Sequence, residues 1–140
     1  MTPESYLSQL IDIDKEIRCL DHGRRRILST TIKSTQWQHD KSLSLETSRP
    51  NENLIIKLEE YDESIAEKQK DLINLLGTIS REIEAVTIRN HRTLLTYRYI
   101  YGMNMKQIAE KMHYNYNYCF DVHRNALRSF KKIHADKDWL

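Results

Sequence analysis

The 140-residue chain is 39% apolar and 30% charged, with three Gly, two Pro, a formal net charge of +2 and a mean hydropathy of −0.70. That balance suits long surface helices. It excludes a sheet-rich fold, which needs many turn residues, and leaves a narrow core such as a helical hairpin or coiled coil supplies. No apolar run approaches the roughly 20 residues of a membrane span. The opening MTPESYLSQL lacks the basic and apolar regions of a signal peptide, so a soluble cytoplasmic protein is expected. Cys19 and Cys119 are far apart, each at an apolar helical position. Both are expected to be small core residues in a reducing compartment, not a disulfide.

A first helix is expected from Pro3 to about Thr31. Thr2 is its N-cap, Pro3 its first residue, and Glu4 suits the helix dipole. Tyr6, Leu10, Ile13, Ile17, Leu20 and Ile27 recur in steps of 4, 3, 4, 3 and 7, a heptad seam. Arg24 interrupts the seam beside Gly23 in HGRRR, where the helix is expected to weaken or bend. Residues 34–53 are rich in Ser, Thr, Asn and Gln and read as a flexible loop. Trp37 either pins that loop to a helix or is exposed.

A second long helix starts near Pro50–Glu52 and runs to about Arg89. Leu58, Ile65, Leu72, Ile79 and Val86 repeat every seven residues, flanked by Leu54, Tyr61, Leu75, Leu76 and Ile83. Gly77 lowers its propensity without breaking the pattern. The two helices are expected to pair as an antiparallel hairpin, and the same seam also suits a homo-oligomer, a dimer through the hairpin. The acids Glu59, Glu60, Asp62 and Glu63 read as a solvated face. The expected division is a hairpin over 1–89 and a second domain over 90–140.

Charge divides along the chain. From Arg89 to Lys132 nine Lys and Arg face two acids, a net of +7, whereas residues 40–88 carry a net of −5. A neutral chain with a basic third places an anionic partner at that third. A third helix reads Arg92 to Ile100, and Gly102 supplies a left-handed residue to end it. Asn104 caps the next helix, Met105 to Met112, with Ile108, Ala109 and Met112 inward and Lys106, Gln107, Glu110 and Lys111 outward. His113 takes the tight turn, since His tolerates left-handed geometry better than most residues. Asn115 then caps a longer basic helix. Cys119, Val122, Ala126, Phe130 and Ile133 are its expected inner face. Tyr116, Asn117, Phe120, Asp121, Arg124 and Arg128 are its outer face.

A short helix, a tight turn and a basic helix make a helix-turn-helix, which lays its second helix in the major groove of double-stranded DNA. Asn117 suits adenine, and Arg124 suits guanine or a phosphate. Tyr116 or Tyr118 packs on a thymine methyl or bonds a phosphate. Arg128, Lys131 and Lys132, later on the helix, are expected to meet phosphates. Lys106 and Asn115 complete the candidate DNA surface. Asp121 either accepts from cytosine N4 or repels the backbone. Phe120 either reads thymine methyls or meets a protein.

The run LLTYRYIYGMNMKQIAEKMHYNYNYCFDVHRNALRSFKKI resembles region 4 of bacterial sigma factors. The likeness rests on RYIYG, Ile108–Ala109, the turn at His113, the cap Asn115 and the run from Arg124 through Ala126 to Leu127. Cys119 stands where that pattern has valine. A long helical hairpin ahead of such a module looks like small phage and prophage regulators of the ArpU/RinA late-gene activator type. The resemblance implies a transcriptional activator in the bacterial cytoplasm, with host RNA polymerase as a partner. Two other readings stay open: a DNA-packaging protein of the small-terminase kind, and a module that binds polymerase without DNA. An enzyme is not expected, for there is no glycine-rich phosphate loop and no paired carboxylate in an apolar setting. Cys119 and His123, at i and i+4, are the best metal pair and lack a second pair. No metal or other cofactor is expected.

Overall fold

In the computed structural model the backbone is described for residues 1–40 and 52–137, and the side chains for 1–30 and 52–137. Those residues are all-helical: α1 (Pro3–Asp40), α2 (Glu52–Glu84), α3 (Arg89–Leu95), α4 (Met105–Met112) and α5 (Tyr116–Ile133), with no strand among them. α1 and α2 pair as a helical hairpin and a helix-turn-helix follows. No described helix is long and apolar enough to cross a membrane.

Thr2 caps α1 as expected, its Oγ1 accepting the Ser5 N–H at 3.1 Å. The helix continues to Asp40, past the expected end at Thr31. Several residues of TIKSTQWQHD are weak helix formers, but Lys33, Gln36 and Gln38 are good ones and none is Gly or Pro, so each weak residue subtracts only a few tenths of a kcal/mol. The rest of the expected loop, 41–51, and the Trp37 side chain lie outside the described residues.

The chain falls into two compact units, Asp14–Asp71 and Met1–Ile13 with Leu72–Leu140. In the first, α1 and α2 run antiparallel. Lys68 Nζ reaches Glu16 Oε2 at 2.7 Å, and Arg24 Nε reaches Asp62 Oδ1 at 2.6 Å. Arg24, the misfit in the seam, is thus neutralised across the helix pair. Gly23 does not interrupt α1. Its missing side chain makes room for Tyr61, whose Oη would lie 2.9 Å from a Cβ placed there. Cys19, expected inside, is exposed. Its position lies off the seam that Ile17 and Leu20 define.

In the second unit the start of α1 and the end of α2 share a core with the C-terminal helices. Tyr6, Leu7, Leu10, Ile79, Ile83 and Val86 pack with Leu95, Tyr99, Ala126 and Phe130. This core crosses the expected boundary at residue 89, because α5 turns its apolar side onto the base of the hairpin. α2 stops at Glu84, five residues short of expectation, and Val86 folds inward from the turn. The Arg92 guanidinium donates to the Val86 carbonyl at 3.0 Å and holds that turn. Inside the core the Tyr6 hydroxyl donates to Glu82 Oε1 at 2.7 Å. Burial first, and the carboxylate second, push the Tyr6 phenol pKa upward. Glu82 Oε2 is buried with no hydrogen-bond partner among the described residues. His134 Nε2 lies 2.8 Å from the Glu82 carbonyl oxygen, so that nitrogen carries the proton and donates.

α3 passes into a π-helical turn, Thr96–Ile100, where the Tyr101 N–H donates to the Thr96 carbonyl at 3.0 Å. The segment faces two ways, since neighbouring helical residues point about 100° apart. Leu95 and Tyr99 enter the core just described, while Leu94 joins a second cluster with Ile108, Ala109, Cys119 and Val122. Gly102 has φ +69° and ends the segment in the left-handed region, as its sequence position predicts.

Candidate nucleic-acid interface

Two caps and a turn position α4 and α5. Asn104 Oδ1 accepts the Gln107 N–H at 2.8 Å, and Gln107 Oε1 accepts the Asn104 N–H at 3.0 Å, a reciprocal capping box. α4 ends on His113, whose φ of 58° is left-handed. The Tyr114 N–H then donates to the Ala109 carbonyl at 2.8 Å, which closes the turn. Asn115 Oδ1 accepts the Asn117 N–H at 2.9 Å and starts α5. That oxygen is engaged in capping, so Asn115 shapes the surface more than it offers a contact. Ala109 is 5% exposed, and its small side chain lies in the cluster that joins α4 to α5.

The inner face of α5 is Cys119, Val122, Ala126 and Phe130, as the spacing predicts. Ile133, expected inside, is 36% exposed, because the place after Phe130 is taken by His134, which is buried against the Phe130 ring. His123 joins the inner face instead. Its Nε2 lies 2.8 Å from the Tyr99 hydroxyl, and burial lowers the imidazole pKa, against a weaker upward pull from Glu4. Burial also pushes the Cys119 thiol pKa up. Among the described residues no three His, Cys, Asp or Glu side chains converge as a metal site.

All eleven candidate contact residues are exposed: Lys106, Asn115, Tyr116, Asn117, Tyr118, Phe120, Asp121, Arg124, Arg128, Lys131 and Lys132. At 100° per residue, Asn117, Asp121, Arg124 and Arg128 fall within about 60° of one another on α5. Lys131 and Lys132 border this stripe toward the C-terminal end. The inner face lies opposite, so burying it aims the stripe outward. Asp121 and Arg124 form an ion pair across one turn, with both side chains largely exposed. The pair neutralises one basic residue of the stripe, which leaves Arg128, Lys131 and Lys132 as its net positive charge.

The sequence count of nine basic residues overstates the charged surface. Arg92 donates to the Val86 carbonyl and Arg98 to the Met103 carbonyl, each at 3.0 Å, so both work inside the fold. Lys111 extends over the Tyr97 ring, 5.7 Å from its centroid. Exposed rings flank the polar stripe on both sides. On one side Tyr116 and Phe120 meet edge to face with centroids 5.0 Å apart; on the other Tyr118 meets the partly buried Tyr114 at 5.1 Å. The four-residue spacing of each pair was the available signal for these contacts. No protein-family model, no curated protein and no solved structure matches the chain.

Proposed function

We propose that the chain is a sequence-specific DNA-binding transcriptional regulator of the late-gene activator type, acting with host RNA polymerase in a bacterial cell. The observation that carries this reading is the outward stripe of α5. Asn117, a base-reading amide, shares a face with Arg124 and Arg128 on a helix set by a capped helix-turn-helix. Arg128, Lys131 and Lys132 supply the sequence-independent attraction to phosphate. The exposed side of the hairpin is then available to polymerase or to a second copy. The half-buried seam residues Ile17, Leu20, Leu58 and Ile65 favour pairing with a second copy.

One observation favours a competing reading, a surface for protein. Tyr116 is 52% exposed and packs edge to face on Phe120, itself 38% exposed, so together they present an apolar pair able to meet a protein. Selection from a random duplex pool, with the mass of the complex measured on the same sample, separates the two. A regulator enriches a defined site and binds it as a dimer, with half-sites about one helical turn apart. Asn117→Ala relaxes base preference at one position. Lys131→Ala weakens all duplexes alike and lowers the salt slope by about 1. No enrichment, together with salt-independent association, would mean that α5 does not bind DNA.

A further inference from the structure

Phe120 lies at the border of the candidate DNA-reading stripe and is 38% exposed, with its ring held edge to face by Tyr116 at a centroid distance of 5.0 Å. A phenyl ring has no donor or acceptor, so it gains nothing from base edges, phosphates or sugar hydroxyls. Within the major groove the apolar group a base pair presents is the thymine 5-methyl. The surroundings decide between a methyl group and an apolar protein surface. Phe120 is one helical turn before Arg124 and two before Arg128, with Lys131 and Lys132 beyond. Arg124 is paired with Asp121, so a partner lying along this face from Phe120 meets the net charge of Arg128, Lys131 and Lys132, which suits a polyanion. Tyr118, on the opposite border, keeps a hydroxyl that can bond a phosphate, and it lacks this constraint.

We propose that Phe120, buttressed by Tyr116, is a thymine-methyl reader that sets base preference beside the position read by Asn117 or Arg124. This rests on the reading of α5 as a DNA-recognition helix. The edge-to-face contact with Tyr116 restrains the ring before binding. Ordering it on DNA therefore carries little entropic cost. The gain is dispersion and exclusion of water around one methyl group, without a hydrogen bond.

The test compares duplex pools that differ only at that methyl. Two random pools, one made with dTTP and one with dUTP, are selected on the full chain. The enriched duplex is then resynthesised with deoxyuridine replacing each thymidine in turn. Wild type binds the thymidine duplex about fourfold tighter at one or two positions, the effect of burying a single methyl. Phe120→Ala binds both duplexes equally and keeps its salt dependence, Phe120→Leu retains part of the preference, and Tyr116→Ala reduces it. Thermal melting of each variant, close to wild type because both rings are on the surface, verifies the fold. Equal wild-type binding at every thymidine overturns the assignment, as does a preference that survives in Phe120→Ala. Equal binding accompanied by loss of RNA polymerase binding in Phe120→Ala overturns it in favour of a protein surface. If neither pool binds at low salt, the DNA reading of α5 fails first, and the methyl reader fails with it.

Discussion

Both compact units contain stretches of α1 and α2 with the same heptad pattern, yet they hold together differently. Among the described residues of Asp14–Asp71 none is fully buried, and Ile17, Leu20, Ile27, Leu58 and Ile65 are all half-buried. Exposed ion pairs such as Glu16–Lys68 lie beside them and contribute little, as surface pairs generally do. In the unit of Met1–Ile13 and Leu72–Leu140, Leu7, Ile79, Val86, Leu94, Leu95, Ile108, Cys119, Ala126 and Phe130 are all at 0% exposure. A heptad seam therefore locates a contact without saying how deep it is. Depth comes from a third element, and in this chain α5 provides it.

Core substitutions put that contrast at greatest risk. Phe130→Ala should lower stability by about 3–5 kcal/mol, the usual range for emptying a buried aromatic site. Ile65→Ala should lower it by about 1 kcal/mol, roughly half the transfer energy of a fully buried side chain. Urea denaturation followed by circular dichroism measures both. Similar losses at the two sites would erase the distinction between the units.

Acid should weaken the well-packed unit. Burial lowers the His123 pKa in the folded state, and partial burial lowers that of His91 in the same sense. As pH falls, the unfolded chain takes up these protons first, near 6.5. Stability is thus complete above about pH 6.5, drops as pH falls toward the lowered folded values, and levels off below them. The paired substitution Tyr99→Phe with His123→Phe removes one titrating group without orphaning its hydroxyl partner. Melting temperatures between pH 7.5 and 5 should then vary less than in wild type, and an unchanged profile would reject the assignment to His123.

The smallest effect compares two glycines. Gly77 has open space where a Cβ would stand, so Gly77→Ala should stabilise by about 1 kcal/mol through helix propensity alone. Gly23→Ala has the same propensity gain, but its Cβ would meet the Tyr61 ring at 2.9 to 3.1 Å. The two effects should cancel or leave a small loss. Thermal melts that rise equally for both variants would show that Tyr61 moves aside freely.

The local devices of the helix-turn-helix were legible in the sequence, because each depends on residues a few positions apart. The Asn104 cap, the left-handed His113, Gly102 and the Asn115 cap all belong to this class, whereas Gln107, read only as an outward residue, proved to close the capping box with Asn104. So does the inner row Cys119, Val122, Ala126 and Phe130. What depended on distant partners was not legible. Cys19 lies outside, since a position adjacent to a seam says nothing of its width. Arg92 and Arg98 looked like interface charge, and their carbonyl partners exist only once the turns at Val86 and Met103 have formed. The Asp121–Arg124 pair has helical spacing, but the sequence left each residue a separate role. Val86 fitted the heptad count although its helix ends before it, because turn and helix can deliver a side chain to the same core.

The contact of Tyr6 with Glu82 joins residues 76 positions apart, and Tyr6 also stacks on Phe130, with centroids 6.3 Å away. Tyr6, Leu7 and Leu10 leave the ribosome long before Ala126 and Phe130 do. Their final packing must wait until residue 130 has been made, and such distant closure is slow relative to forming a helical turn. Until α5 arrives, the start of α1 exposes an apolar stripe that can bind other chains. Release of α5 is therefore the event that removes this aggregation hazard, and the helix that carries the candidate site also completes the fold.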